Sequence, residues 1–298
     1  GRRMQKLSVD AGFSCPNRDG SLSTGGCTFC SNDAFTPSYC RRGLSITRQI
    51  EEGIDFHRRR YREAQRYLVY FQSFTNTYAP LEGLRARDEE ALAHPDVEGL
   101  VIGTRPDCVD EERLDYLAAL AREKYVAVEY GIESVYDKTL RAVNRGHDFA
   151  TAERAVRMTA ERGLHCGAHF ILGLPGETDE MLIKGVERIN RLPLTSVKFH
   201  QLQLFRHTPM AEEYEAHPER FRFWTVEAYI DLVVELLRRL RPDVVVERFA
   251  SEAPPRFHAG PTWGLIRNEQ LWTMLEKSLA EKRTYQGEFF INLPAERG

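Results

Sequence analysis

The chain has 298 residues, 42% hydrophobic and 29% charged, with a formal net charge of −3 at pH 7. This is the composition of an ordinary globular protein, long enough for one α/β barrel or two smaller domains. No run approaches the roughly 18 apolar residues of a membrane helix, and no signal-peptide core follows the basic start Gly1-Arg2-Arg3. A membrane partner is therefore not expected, and a cytoplasmic location is. The start is abrupt and compatible with a point inside a longer protein. A near-neutral net charge neither requires nor excludes nucleic acid.

Leu7–Val9 is a short apolar strand that feeds the stretch Cys15-Pro-Asn-Arg-Asp-Gly-Ser-Leu-Ser-Thr-Gly-Gly-Cys27-Thr-Phe-Cys30. Pro16, Asn17, Asp19, Gly20, Gly25 and Gly26 disfavour a helix or a long strand there. Three thiols in a loop with no regular element of its own suit a soft metal or an iron–sulfur cluster. Structural zinc takes four ligands, and most clusters take four cysteines, so three leave one metal position open. The alternatives are a four-cysteine zinc knot completed by Cys40 and, less compatible with a chain this long, a disulfide framework.

Apolar residues at Ile46, Ile50, Ile54 and Tyr61 have helical spacing. Tyr67–Phe74 reads as a buried strand, Leu81–Ala93 as a helix stopped by His94-Pro95, and Gly99–Gly103 as the next strand. Asp110 is placed to cap a helix over Glu111–Glu123. Tyr125–Ile132 is a strand, Phe149–Arg162 a helix ended by Gly163, His165–Leu174 a strand, Asp179–Arg191 a helix and Ser196–Phe205 a strand. Helices follow around Met210–Glu215 and Val226–Leu240, then an apolar stretch at Val244–Phe249 and a helix over Glu269–Lys282.

Strand and helix alternate at about thirty-residue spacing, the signature of βα units on a parallel sheet. Six units run from Leu7 to Phe205 with no linker between them. No GxGxxG follows the first strand, so the expectation is a partial (β/α)6 TIM-like barrel over residues 1–210. Residues 211–298 would form a C-terminal α/β extension packed on it. Functional groups in such barrels gather at the C-terminal strand ends. Those ends carry the cysteine loop, Ser73, Thr75 and Asn76, the run Thr104-Arg105-Pro106-Asp107, Glu133-Ser134, Gly173-Leu-Pro-Gly-Glu177, and His200, Gln201 and Gln203. Two basic clusters, Arg58–Arg62 with Arg66 and Arg238–Arg241, fall on expected helices. Each reads as a solvated helix face or as an RNA-facing patch.

A cysteine triad after the first strand of a βα series resembles the radical SAM superfamily. Phe29 matches its aromatic residue before the last cysteine. Val128-Glu-Tyr-Gly-Ile-Glu-Ser134 and Phe170-Ile-Leu-Gly-Leu-Pro-Gly-Glu177 resemble its fourth- and fifth-strand motifs, with Asn144-Arg-Gly-His147 between them. More narrowly, DAGFSCPNRDG, GGCTFC, FQSFTNTYAP, GTRPDC, ERFASEAPP and GPTWG resemble a bacterial YhcC-like subfamily related to the catalytic subunit of Elongator. The resemblance covers essentially the whole chain. It departs from the superfamily in the eleven residues between Cys15 and Cys27. It also lacks the Gly-Gly-Glu motif after the second strand, replaced by Ser73–Thr77, and a second cysteine cluster. The acetyltransferase chemistry of the Elongator subunit is not carried over.

The resemblance implies that Cys15, Cys27 and Cys30 ligate a [4Fe–4S] cluster whose fourth iron is chelated by S-adenosylmethionine (SAM). Cleavage of the sulfonium would then give a 5′-deoxyadenosyl radical. It assigns Arg145 to the SAM carboxylate, Glu133 and more weakly Ser134 to the ribose, and Gly173 and Gly176 to close approach by adenine. Phe29 would pack by the adenine. His169 stands where relatives carry an acidic ribose contact. Ser73, Thr75 or Asn76 would replace the amino-group contact, and Gln203, with His200 and Gln201, faces SAM or substrate. Cys108 and His200 are the candidate catalytic side chains, although burial as structural thiol or histidine is the competing role. Arg105 and Asp107 would touch substrate or form an internal ion pair. The implied substrate is a tRNA wobble uridine altered at its C5 side chain, with a flavodoxin or ferredoxin as electron donor. A small metabolite, a peptide, or a non-catalytic iron–sulfur or zinc regulator are the alternatives.

Overall fold

The structure, a computed structural model, describes residues 4–41, 43–60, 66–264 and 266–291. Seven strands make one sheet: β1 (Met4–Val9), β2 (Arg66–Phe71), β3 (Val97–Thr104), β4 (Tyr125–Glu133), β5 (His165–Leu172), β6 (Ser196–Gln201) and β7 (Val245–Arg248). They pair in sequence order and all in parallel. The helices are α1 (Ile46–Arg60), α2 (Leu81–Leu92), α3 (Glu111–Leu120), α4 (Asp137–Ala142), α5 (Phe149–Glu161), α6 (Asp179–Asn190), α7 (Pro209–Ala216), α8 (Val226–Arg239) and α9 (Asn268–Glu281). The sheet curls into a half-barrel, and β7 extends the six-unit series by one strand.

The helices start where side-chain oxygens satisfy their free N–H groups. Asp110 accepts from Arg113 N at 2.9 Å, Asp148 from Thr151 N at 2.8 Å and Thr208 from Ala211 N at 3.2 Å. Apolar stripes then cover one face of the sheet. Val226, Tyr229, Ile230, Val233, Leu236 and Leu237 of α8 are buried, each contributing roughly 1.5–3 kcal/mol by leaving water. The strand residues beneath them alternate with residues that face the concave side. Buried Leu7, Val69, Ile102, Val128, Phe170 and Phe199 belong to the main core. On the other face, Leu68, Tyr70, Val101 and Ala127 form a small separate apolar patch, and the positions above it are polar.

Among the described residues, β1 and β7 are not joined by backbone hydrogen bonds. A side-chain contact bridges the two edges instead: Lys6 Nζ on β1 lies 2.6 Å from Glu247 Oε2 on β7. Helix α4 is an element absent from the sequence expectation. Its Asp137 Oδ1 accepts from Phe149 N at 2.8 Å, so the β4–α5 connection is folded back on itself and presents residues 143–147 to the cysteine loop.

Candidate active site

The loop after β1 is held by turn hydrogen bonds and by the 143–146 turn. Cys15 O accepts from Arg18 N at 2.8 Å, and Gly26 N donates to Asn17 O at 2.7 Å. Asn17 is fully buried. Its Nδ2 donates to Asn144 O at 2.6 Å and contacts Cys27 Sγ at 3.5 Å. Asn144 Nδ2 returns a bond to Gly26 O at 2.8 Å, and Thr28 N donates to Val143 O at 3.0 Å. Arg145 Nη1 points at Cys27 Sγ from 3.4 Å. Cys15, Cys27 and Cys30 are free thiols that line one cavity of about 430 Å³. Burial, then the neighbouring Cys27, pushes the Cys30 thiol up, against the opposing charges of Arg18 and Arg145.

The strand ends converge on the same cavity. Phe29, Ser73, Thr75, Glu133, Arg145, His169, His200 and Gln203 all line it. Glu133 sits at a register break between β4 and β5, with φ of +74°, a conformation costly for a residue with a side chain. The break turns its carboxylate inward, where Oε1 lies 3.8 Å from Arg145 Nη2. Burial raises the Glu133 carboxyl, opposed by Arg145. Both side chains close over Gly131: a Cβ there would stand 2.5 Å from Glu133 Oε1 and 2.8 Å from Arg145 Nη2, so one of them would have to move.

Deeper in the cavity lies a charged layer that only partly entered the sequence expectations. Glu129, 3% exposed, accepts from Lys6 Nζ at 2.9 Å, from His169 Nε2 at 2.9 Å and from Lys198 Nζ. Burial acts to raise its carboxyl, but the His169 hydrogen bond and the Lys198 and Lys6 charges outweigh it and hold it well below the usual range. Burial lowers Lys198 to about 8 although Glu129 opposes the shift. Both lysines lie over the Tyr70 ring. Above this layer His200 Nδ1 pairs with Ser251 Oγ, and burial holds the imidazole neutral. Lys6, Lys198, Glu247, Arg248 and Ser251 were not singled out from sequence. The signal for one of them was present: Lys198 alternates with apolar residues on β6 in step with His200, so the two share the concave face.

Six sequence candidates, Asn76, Asp107, Cys108, Ser134, Gly173 and Gly176, stand outside the cavity lining. Asn76 Nδ2 donates to Phe71 O at 2.9 Å and Gly103 O at 2.8 Å, which ties the ends of β2 and β3 together. Ser134 Oγ donates to Glu177 and accepts from Tyr136 N, so it closes the turn into α4. Gly173, at φ of +93°, packs against the Trp224 ring. Cys108 is a partly buried thiol that burial and Asp107 push up to about 12. Arg105 and Asp107 form the internal ion pair, at 2.8 Å.

The basic clusters also resolve. Arg238 and Arg239 are engaged by Glu235 and Glu288, and Arg241 donates to the carbonyls of Asn190, Leu192 and Leu194. That cluster is a packing device rather than a free patch. Of the other, Tyr61 and Arg62 lie outside the described residues, while Arg58 faces Asp96 at 3.7 Å.

The donor set fits an iron–sulfur cluster. Three thiols share a cavity with Arg18 and Arg145, whose charges offset that of thiolates. Ligands on one zinc, each about 2.3 Å from the metal, crowd together. Among the described residues no three His, Cys, Asp or Glu are grouped in that way. Cys40 is not in the lining; its Sγ lies 3.1 Å from Gln49 Oε1.

Comparison with known proteins assigns the class. The model for the radical SAM superfamily matches residues 20–189, and that for the radical SAM C-terminal domain matches residues 194–281. The chain belongs to the radical SAM superfamily and is a radical SAM enzyme, with a [4Fe–4S] cluster and SAM as its cofactors. Within that class it is 35% identical over 274 residues to protein YhcC of Escherichia coli, covering 92% of this chain and 85% of that one. A shorter similarity, 32% over 82 residues, links 28% of this chain to 15% of the tRNA uridine(34) acetyltransferase of Methanocaldococcus infernus. In fold it is similar to the structure of Elp3 from Methanocaldococcus infernus lacking its N-terminus, with a TM-score of 0.71 at 16% identity. That match covers 96% of this chain and 64% of the other, so this chain spans under two thirds of that structure.

Proposed function

We propose that this enzyme acts on RNA and alters a side chain at C5 of the tRNA wobble uridine, with a flavodoxin or ferredoxin as electron donor. The observation that carries the substrate is the 82-residue similarity to a protein named for tRNA uridine(34). Cys15, Cys27 and Cys30 would hold the cluster, which when bound supplies the electron that cleaves the sulfonium of SAM and so provides the hydrogen-abstracting radical. The chain's own groups do the rest. Asn17 and Arg145 hold the Cys27 sulfur in place. Glu133 is aimed into the cavity to accept from the ribose hydroxyls. Phe29, Ser73, Thr75, His169, His200 and Gln203 complete the wall against which SAM and the target carbon are oriented. The test is mass spectrometry of tRNA nucleosides from a strain lacking the gene. A wobble nucleoside missing or replaced by its precursor is expected; an unchanged nucleoside profile removes tRNA as substrate.

A further inference from the structure

Cys15, Cys27 and Cys30 line the same cavity, but the side chains around their sulfurs differ. Cys27 Sγ has two N–H donors, Asn17 Nδ2 at 3.5 Å and Arg145 Nη1 at 3.4 Å. Cys30 faces the guanidinium of Arg18, a side chain exposed to water. Asn17 is neutral and 0% exposed. Its N–H therefore acts on the Cys27 sulfur in a medium of low dielectric constant, where a hydrogen bond is stronger than in water.

The surroundings fix the direction of that amide. Nδ2 also lies 2.6 Å from Asn144 O and 3.3 Å from Arg145 O. An oxygen in its place would face two carbonyl oxygens, so the N–H end is the one turned to the sulfur. The backbone is held as well, because Asn17 O accepts from Gly26 N at 2.7 Å, next to Cys27. Gly146, at φ of +80°, leaves the room for this: a Cβ there would stand 2.6 Å from Asn17 Oδ1. The amide is thus clasped between the cysteine loop and the 143–147 turn. Asn144 stitches the same two segments, through Nδ2 to Gly26 O at 2.8 Å, without touching a sulfur.

A donor aimed at a thiolate sulfur favours the form that carries more negative charge, and hydrogen bonds to the sulfurs help set the potential of an iron–sulfur cluster. We propose that Asn17 is a positioning residue that raises the electron affinity of the cluster through Cys27, its N–H staying on the sulfur when the thiolate is bound to iron. The inference rests on the cluster as cofactor and is independent of the RNA substrate.

The test is a potentiometric titration of the anaerobically reconstituted full chain without SAM, with dithionite as reductant and the reduced cluster read by electron paramagnetic resonance. Two variants remove the donor, Asn17→Leu with little loss of volume and Asn17→Ser with more. Asn144→Gly loosens the same stitch and leaves the sulfur's donors in place. Spectra are normalised to iron content. A buried hydrogen bond corresponds to about a two- to tenfold change in an equilibrium constant. At the wild-type midpoint potential the ratio of reduced to oxidised cluster should fall by that factor in both Asn17 variants, and the midpoint should move to more negative potential. The midpoint of Asn144→Gly should stay at the wild-type value. In wild-type protein labelled with 15N-asparagine, electron–nuclear double resonance of the reduced cluster should show a 15N coupling that the Asn17 variants lack. An unchanged midpoint in the Asn17 variants, an equal shift in Asn144→Gly, or no 15N coupling in the wild type, whether or not the variants hold iron, overturns the proposal.

Discussion

Replacing Glu129 by Gln tests whether the charged layer beneath the cysteine-lined cavity holds the half-barrel together. The change keeps the side chain's shape and removes its charge from a site that is 3% exposed. Its contact with Lys6 at 2.9 Å has a Coulomb energy of roughly 6 kcal/mol at an effective dielectric constant of about 20, most of it offset by desolvation. The net figure is the cost of breaking a buried pair from one side, about 3–5 kcal/mol. Glu247, 2.6 Å from Lys6 and 3.7 Å from Lys198, stays behind as a substitute, so the low end, about 3 kcal/mol, is expected. The assay is equilibrium urea unfolding at several pH values. Glu129 has a folded-state carboxyl held well below its usual value, so its contribution is present above the unfolded value and fades as pH falls through the folded one. Variant and wild type should therefore converge in strong acid. Lys198, at about 8 in the folded chain against 10.5, makes stability rise with pH between those values, because the unfolded chain holds more protons there. Without Glu129 that lysine loses its proton at lower pH, so the defect should be smaller at pH 9 than at pH 7. A loss below about 1 kcal/mol, the range of a surface pair, or a defect constant with pH, would refute the reasoning. The double replacement Glu129→Leu with Lys198→Met should recover part of the loss, because it removes both buried charges.

Serine at Cys15, Cys27 or Cys30 should each lower iron and sulfide per chain sharply, while Cys40→Ser leaves both unchanged; metal analysis after anaerobic reconstitution distinguishes them. Asp88 on α2 is raised by burial to about 7, against the opposing influence of the nearby Tyr116 hydroxyl. With its folded value above 3.8, the stability it contributes is full below pH 3.8 and lost as pH rises through 7. Asp88→Asn should therefore flatten the fall in stability over that window and exceed wild type above it, measured as urea midpoint against pH.

The alternation of strand and helix was legible because each unit carries its own caps and apolar period. Asp110 and Gly163 marked helix ends in agreement with the geometry found. Strand ends were overrun where an apolar run outlasts the pairing: Phe74 and Gly173 have positive φ and turn the chain out of β2 and β5 early. The strand β7 was visible only as an apolar stretch, because three of its four residues are exposed at the sheet edge. The cysteine loop was legible from spacing and from its resemblance to a family. The different partners of Arg105 and Arg145 were not, since only the folded chain sets Asp107 beside the first and Gly131 O and Cys27 Sγ beside the second. The charged layer was hidden for a related reason. Lys6, Glu129, Lys198 and Glu247 lie on four different strands, and curling of the sheet alone brings them into contact.

The most direct measurement of the central claim is 5′-deoxyadenosine formed from SAM by the anaerobically reconstituted, reduced enzyme, beside the same enzyme carrying Cys27→Ser. The account expects formation of 5′-deoxyadenosine, stimulated by tRNA from a strain lacking the gene, and none from the variant. Full iron and sulfide content with no 5′-deoxyadenosine, even with that tRNA present, would contradict it.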